Sequence, residues 1–207
     1  KAAANELVVL TDADCYPATN QWLKQVVSGY ATDDKAIVLG YGAYEKKPGR
    51  LNRRIRYETF LTALNYLSFA LAKLPYMGVG RNLSYQKGLF FSTNGFFDHR
   101  QIPSGDDDLF INKVATKKNT EIVISPDAFT YSPPKETREE WIEQKTRHMS
   151  TARYYRAKHK FWLALQPISH ILFWVTSLYL LATVFVYWYI VAAAFVLRWA
   201  LLRYTFG

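Results

Sequence analysis

Three short segments hold the residues most able to do chemistry. The first is V-L-T-D-A-D, Val9–Asp14. Asp12 and Asp14 stand i, i+2 at the end of a β-prone run, so their carboxylates point the same way. Hard oxygen ligands of this kind suit Mg2+ or Mn2+ bridging phosphates. A polar strand end with one capping Asp has the same appearance. The second is S-G-D-D-D-L, Ser104–Leu109. Three adjacent carboxylates repel one another, which raises at least one pKa and suits a general base. An acidic helix N-terminus favoured by the macrodipole is the competing explanation. The third is Q-K-T-R-H, Gln144–His148. On a helix Trp141, Gln144 and His148 share one face, with Arg147 at i+3 from Gln144. An arginine with such neighbours can clamp phosphate, and a basic helix meeting anionic lipid is the alternative.

These segments need elements to hold them. Leu7–Leu10 is contiguous and apolar, predicting a buried strand over Glu6–Thr11 that ends at the first acids. Helical spacing follows in Trp22, Leu23, Val26, Val27 and Tyr30, then a second strand over Ala36–Tyr41. Leu51–Leu74 reads as a long helix, basic at its start and broadly apolar, fit for a membrane interface or for a core. Tyr76–Gly95 reads as short strands and turns. A helix near Leu109–Thr116 and a strand over Glu121–Ile124 come next. Thr137 and Glu140 form a capping box opening a helix through about Tyr155. Strands alternating with helices predict an α/β layer architecture.

The C-terminal part is different in kind. From Phe161 to Leu197 there is no Asp, Glu, Lys or Arg. One span needs about 20 apolar residues, so this run predicts two, near Ile168–Val186 and Trp188–Tyr204. A buried hairpin of a soluble protein is the weaker reading, since core helices seldom run so long without charge. Basic residues flank the run on both sides, which predicts that both ends face the cytoplasm. The chain of 207 residues therefore divides into 1–160 and a transmembrane region 161–207. Its net charge of +9 calls for an anionic partner or surface. Nucleic acid fits poorly, because the basic residues cluster around the membrane run. The single cysteine, Cys15, excludes an intrachain disulfide and a Cys-rich zinc site. Lys1 leads almost at once into an acidic strand end, which reads as a domain whose earlier strands precede this sequence.

In this order the three segments resemble the D-x-D, E-D or G-D-D, and Q-x-x-R-W motifs of family 2 glycosyltransferases of the cellulose synthase and hyaluronan synthase type. The stretch Gly78–Lys87, G-V-G-R-N-L-S-Y-Q-K, is similar to the family's G-x-x-N-x-x-Y-[RK] segment. The resemblance implies a GT-A-type, Rossmann-like α/β domain followed by a transmembrane helical hairpin. It implies inverting transfer of a sugar from a nucleotide-diphosphate donor, a UDP-sugar by expectation, to the hydroxyl of a glycan or lipid-linked acceptor. Asp12 and Asp14 would hold the donor diphosphate through Mg2+ or Mn2+, joined by Arg147 and Gln144. Asp107 would be the base, as the second Asp of G-D-D, with Asp106 beside it. Asn82, Tyr85, Lys87 and His148 would face the acceptor, although His148 stands where the family has Trp. Membrane lipids are the further partner, and a multi-pass location with a cytoplasmic catalytic part, in a bacterial inner membrane, is expected. Two other readings compete: a non-catalytic, basic, membrane-anchored interaction domain, and a metal-dependent phosphohydrolase, which would want histidines at ligand spacing with the acids.

Overall fold

The computed structural model describes residues 3–102 and 104–206. The chain divides into two compact units, Lys1–His159 and Lys160–Gly207. The strands in chain order are β1 Leu7–Leu10, β2 Tyr16–Pro17, β3 Ile37–Leu39, β4 Gly42–Tyr44, β5 Leu83–Gln86, β6 Thr120–Ile122 and β7 Thr130–Ser132. The helices are α1 Trp22–Ser28, α2 Arg50–Leu71, α3 Lys87–Ser92, α4 Asp108–Val114, α5 Arg138–Met149, α6 Ala157–Thr183 and α7 Trp188–Phe206. A four-stranded mixed sheet runs β1-β5-β3-β6, and a three-stranded one runs β2-β7-β4.

The larger sheet is centred on β3, whose Ile37, Val38 and Leu39 are fully buried. A continuous β-branched and apolar run suits such a doubly covered position. β1 differs from its predicted buried state: among the described residues it is an edge strand, paired only with β5, and all four of its residues are half-buried. Contiguous apolar residues do not reveal how many neighbours a strand will have.

The predicted strand over Ala36–Tyr41 divides. β3 stops at Leu39, and the chain crosses to β4 of the second sheet. The crossover is stapled by side chains. The Tyr66 hydroxyl donates to the Gly40 carbonyl at 2.6 Å. The Asn82 amide nitrogen donates to the carbonyls of Tyr41 at 3.0 Å and Ala128 at 2.7 Å. A Cβ on Gly40 would stand 2.6 Å from the Asn82 side chain, so this close approach requires glycine.

α2 and α5 bring the basic segment to the sheets. Trp141 of α5 is buried with Tyr44 and Ile55, and the Arg54 guanidinium lies 4.9 Å from the Trp141 ring. Lys145 pairs with Glu58 at 2.8 Å. The predicted capping box is present in full: Thr137 accepts from the Glu140 N–H while Glu140 accepts from the Thr137 N–H. The helix it opens ends at Met149, earlier than Tyr155. The Ser150 hydroxyl donates to the Arg147 carbonyl, which closes the last turn.

In the second unit the predicted pair of apolar helices is present, with its break at Val184. α6 begins earlier than its expected span, inside the basic stretch, and contains Pro167. Two helical segments, Ala157–Thr183 and Phe185–Tyr204, are long and apolar enough to cross a membrane. Most of their large side chains, among them Leu172, Val175, Leu178 and Leu197, are exposed. Lipid would solvate such a surface, whereas a soluble core helix would bury it.

Candidate active site

The chain turns sharply where β1 ends. The Cys15 N–H donates to the Asp12 carbonyl at 3.0 Å, which brings the side chains of Asp12, Asp14 and Cys15 together. One ligand atom from each lies within 4.8 Å of the others. Burial pushes the Cys15 thiol up, so it stays protonated at neutral pH, and the two carboxylates are the effective hard donors. The Asp12 carboxyl is raised first by burial. Asp14 and Asp106 raise it further, while Arg81 and Arg147 oppose them. Two crowded acids bordered by two guanidinium groups fit a divalent cation that carries phosphate oxygens.

Asp107 is the N-cap of α4. Its Oδ1 accepts from the Asp108 N–H at 2.7 Å and its Oδ2 from the Gly80 N–H at 2.6 Å. A Cβ built on Gly80 would lie 3.4 Å from Asp107 Oδ2 and 3.6 Å from Asp12 Oδ1, so both carboxylates border the same small space beside this glycine. Gly105 makes the turn into the cap at φ +102, a conformation that favours glycine. Burial pushes the Asp107 carboxyl up to about 6; the two N–H donors oppose this and the flanking Asp108 and Asp106 add to it. Asp106 is exposed beside it. Asp108 turns inward: only 7% exposed, it accepts from the hydroxyls of Thr151 and Tyr155.

Gln144 accepts from the Tyr44 hydroxyl at 3.4 Å. Arg147 is exposed, and its charge reaches Asp12. His148 stands at an exposed position on α5, but its ring is crowded by neighbours. That crowding, then the charges of Arg147 and Arg81, hold its pKa below the ordinary value.

Asn82, Tyr85 and Lys87 are not brought to the acids as ligand-facing groups. Asn82 is buried and its amide is fully engaged, accepting from Trp22 Nε1 as well as stapling the crossover. β5 runs antiparallel to β1, with Leu83 opposite Leu10 and Gln86 opposite Leu7. The chain therefore leaves the acids along β5, about 3.3 Å per residue. Tyr85 is buried against Phe90 and Phe110. Lys87 donates to the Ala3 carbonyl at the far end of the sheet.

One residue absent from the sequence expectations stands in the site. Arg81 exerts the strongest opposing charge on Asp12. Its guanidinium lies 4.4 Å from the centre of the Tyr44 ring and donates to Ser132 Oγ at 3.4 Å. A Cβ on Gly42 would stand 2.7 Å from Arg81 Cβ, so the arginine lies directly over β4. Its signal was its place before Asn82 in G-V-G-R-N, a cation beside a glycine turn.

The family model described as glycosyl transferase family group 2 matches residues 7–202. No match is found among curated proteins. A solved structure with some likeness is a mannosyltransferase from Pyrobaculum calidifontis, in complex with GDP-Man and Mn2+. It is 22% identical, with a TM-score of 0.45, over 67% of this chain and 35% of that one. The family match spans both units, and the chain has a mixed α/β glycosyltransferase-like fold with a C-terminal pair of apolar helices that could span a membrane. The chain belongs to glycosyl transferase family group 2.

Proposed function

We propose that the protein transfers a sugar from a nucleotide-diphosphate donor, a UDP-sugar in the first instance, to an acceptor hydroxyl with inversion. The observation that supports this reading is that Asp12 and a half-buried Asp107 raised to about 6 border the same space beside Gly80, with the charges of Arg81 and Arg147 acting on Asp12. A group with that pKa is ionised at neutral pH yet still basic enough to take a proton.

In this reading Asp107 accepts the proton of the acceptor hydroxyl as its oxygen attacks the anomeric carbon. The N–H groups of Gly80 and Asp108 fix the carboxylate without using all its lone pairs. Asp106 keeps the local field negative, which favours proton uptake. Arg147 neutralises the departing diphosphate on the opposite side of the sugar. Gln144 orients Tyr44, which in turn supports Arg81. Asp12 and Asp14 would hold Mg2+ or Mn2+, which supplies Lewis-acid neutralisation of the diphosphate when bound. His148 faces the acceptor in the position the family gives to Trp, offering a smaller ring for contact.

Residues 1–160 are the catalytic part in this reading and 161–207 the membrane part, with the cleft on the cytoplasmic side where activated sugars are made. A reporter fused after residue 207 should read out as cytoplasmic, and a periplasmic or luminal readout would refute the two-pass arrangement.

The decisive assay offers a panel of nucleotide sugars to the full-length protein in membranes with Mg2+ or Mn2+. Transfer from one donor is expected, abolished by chelation and by Asp14→Ala. Nucleotide diphosphate binding that survives Asp14→Ala undiminished, with and without metal, contradicts the donor assignment.

A further inference from the structure

Beyond the Tyr44 ring from the acids lies a cavity of about 450 Å³, between α2 and the small sheet. That volume falls within the roughly 300–1,000 Å³ usual for small-molecule sites. Its walls are aromatic: Tyr41, Tyr44 and Phe129 on one side, Tyr57 on the other, with Arg53 and Arg56 from α2. None of the three catalytic segments contributes to it.

The two arginines differ from their neighbour on the same helix. Arg54 pairs with Glu58 at 3.2 Å and covers the Trp141 ring. Among the described residues Arg53 and Arg56 pair with no carboxylate. They stand i, i+3, so their side chains project from the same face of α2 into the cavity. The rings are set firmly. Tyr41 and Phe129 meet edge to face at 5.0 Å, and the Tyr41 carbonyl is held by Asn82. Tyr57 is exposed and presents its ring at the cavity. Aromatic faces with polar rims suit the C–H faces and hydroxyls of a sugar, and paired guanidinium groups suit a phosphate.

The cavity also shares a wall with the cleft. Arg81 lies over the Tyr44 ring and over Gly42, and its charge acts on both Asp12 and Tyr41. A ligand in the cavity would therefore sit one aromatic ring away from the acids.

We propose that this cavity is the acceptor subsite and that the acceptor is a sugar carrying a phosphate, with Arg53 and Arg56 on the phosphate and Tyr57 on the sugar ring. The phosphate could come from a soluble glycosyl phosphate or from a lipid-linked one; the shared chemistry is the phosphorylated sugar. The assignment rests on the transferase reading for the word acceptor, but its binding test does not.

The test is calorimetry on the full chain in phosphatidylcholine nanodiscs, with a hexose 1-phosphate, the same hexose unphosphorylated, and a polyprenyl hexosyl phosphate built into the disc. Either phosphorylated probe should bind roughly tenfold or more tighter than the plain hexose. The source is soluble if the first binds and lipid-linked if only the second does. The Arg53→Gln/Arg56→Gln double variant should lose that preference, while Tyr57→Ala should weaken both phosphorylated and plain sugars. Nucleotide diphosphate binding with Mn2+ should be unchanged in all of these variants. A double variant that keeps the phosphate preference overturns the proposal, as does equal binding of phosphorylated and plain sugar by the unmodified chain. Asp107→Asn should bind the sugar phosphate normally. If that variant retained full transfer, the catalytic reading would fail while the cavity result stood, so the two failures are separable.

Discussion

Asp107 and Asp108 are adjacent in sequence and opposite in circumstance. Asp107 caps the tip of α4, is held among the described residues only by backbone N–H groups, and borders the space of Asp12 beside Gly80. Asp108 lies on the flank of the same helix and is sealed by Thr151 and Tyr155. The flank continues with Asn112, which donates to the Tyr76 carbonyl, contacts His159 Nδ1 and accepts from the Arg156 N–H. The tip takes one backbone N–H on each carboxylate oxygen, whereas Asp108 takes both hydroxyls on Oδ2 and its buried Oδ1 has no partner among the described residues. The difference teaches how one short helix serves two purposes: its flank clamps residues 151–159 against the sheet domain, and that rigidity lets its tip hold a carboxylate where burial raises its pKa.

The largest expected effect separates the two carboxylates. Asp107→Asn should lower transfer about 10²–10⁴-fold while leaving donor affinity nearly as it was, with a stability cost of about 1–3 kcal/mol because its NH2 replaces an oxygen that accepts a backbone N–H. The amide keeps the carboxylate's size but accepts no proton. Asp106→Asn, at an exposed position in the same field, should fall well short of that loss. If Asp107→Asn spared turnover while Asp108→Asn abolished it, the roles of tip and flank would be exchanged.

Asp108→Asn should spare turnover. Its carbonyl can accept both hydroxyls in place of Oδ2, and the cost of about 1–3 kcal/mol comes from burying an NH2 where Oδ1 has no partner among the described residues, visible in chemical denaturation. Tyr155→Phe removes one of those donors and should cost about 1 kcal/mol. An Asp108→Asn protein as stable as the parent would show that the clamp is incidental.

The smallest effect sharpens the account of Arg81. Tyr44→Phe removes only the hydroxyl given to Gln144 and keeps the ring beneath the guanidinium. A change of about 0.5 kcal/mol in donor binding is expected, since a long, partly buried hydrogen bond contributes little. Arg81→Gln should weaken binding of nucleotide diphosphate more than Tyr44→Phe does, and an equal or smaller effect would place Arg81 outside the donor site.

What was legible in the sequence was local. The acids at the end of β1, the capping box at Thr137 and the charge-free run after Phe161 each declare themselves within a few residues. What was not legible depended on partners far along the chain. Asp108 read as an ordinary helix start because Thr151 and Tyr155, which bury it, lie more than forty positions away. Asn82, Tyr85 and Lys87 read as acceptor contacts because they fit a motif, but the antiparallel register of β5 carries Tyr85 and Lys87 away from Asp12 and Asp14, and Tyr85 is buried within the charge field of Asp106. Arg81 was passed over because its neighbour Asn82 matched that motif, and the glycine gap at Gly42 that admits its side chain is visible only in three dimensions.

The central claim is that the carboxylate at the tip of α4 is the base, and the pH dependence of kcat/KM for transfer tests it most directly. Asp107 must be ionised to accept a proton, and its folded-state pKa is raised to about 6. The ionised fraction therefore falls as pH drops through that value, and kcat/KM should be level above about pH 7 and decline roughly tenfold per unit well below pH 6. Asp107→Asn should flatten that limb at its reduced rate. A parent enzyme whose kcat/KM stays level down to pH 5, or an Asp107→Asn variant that keeps the acidic limb, would contradict the assignment of Asp107 as the base.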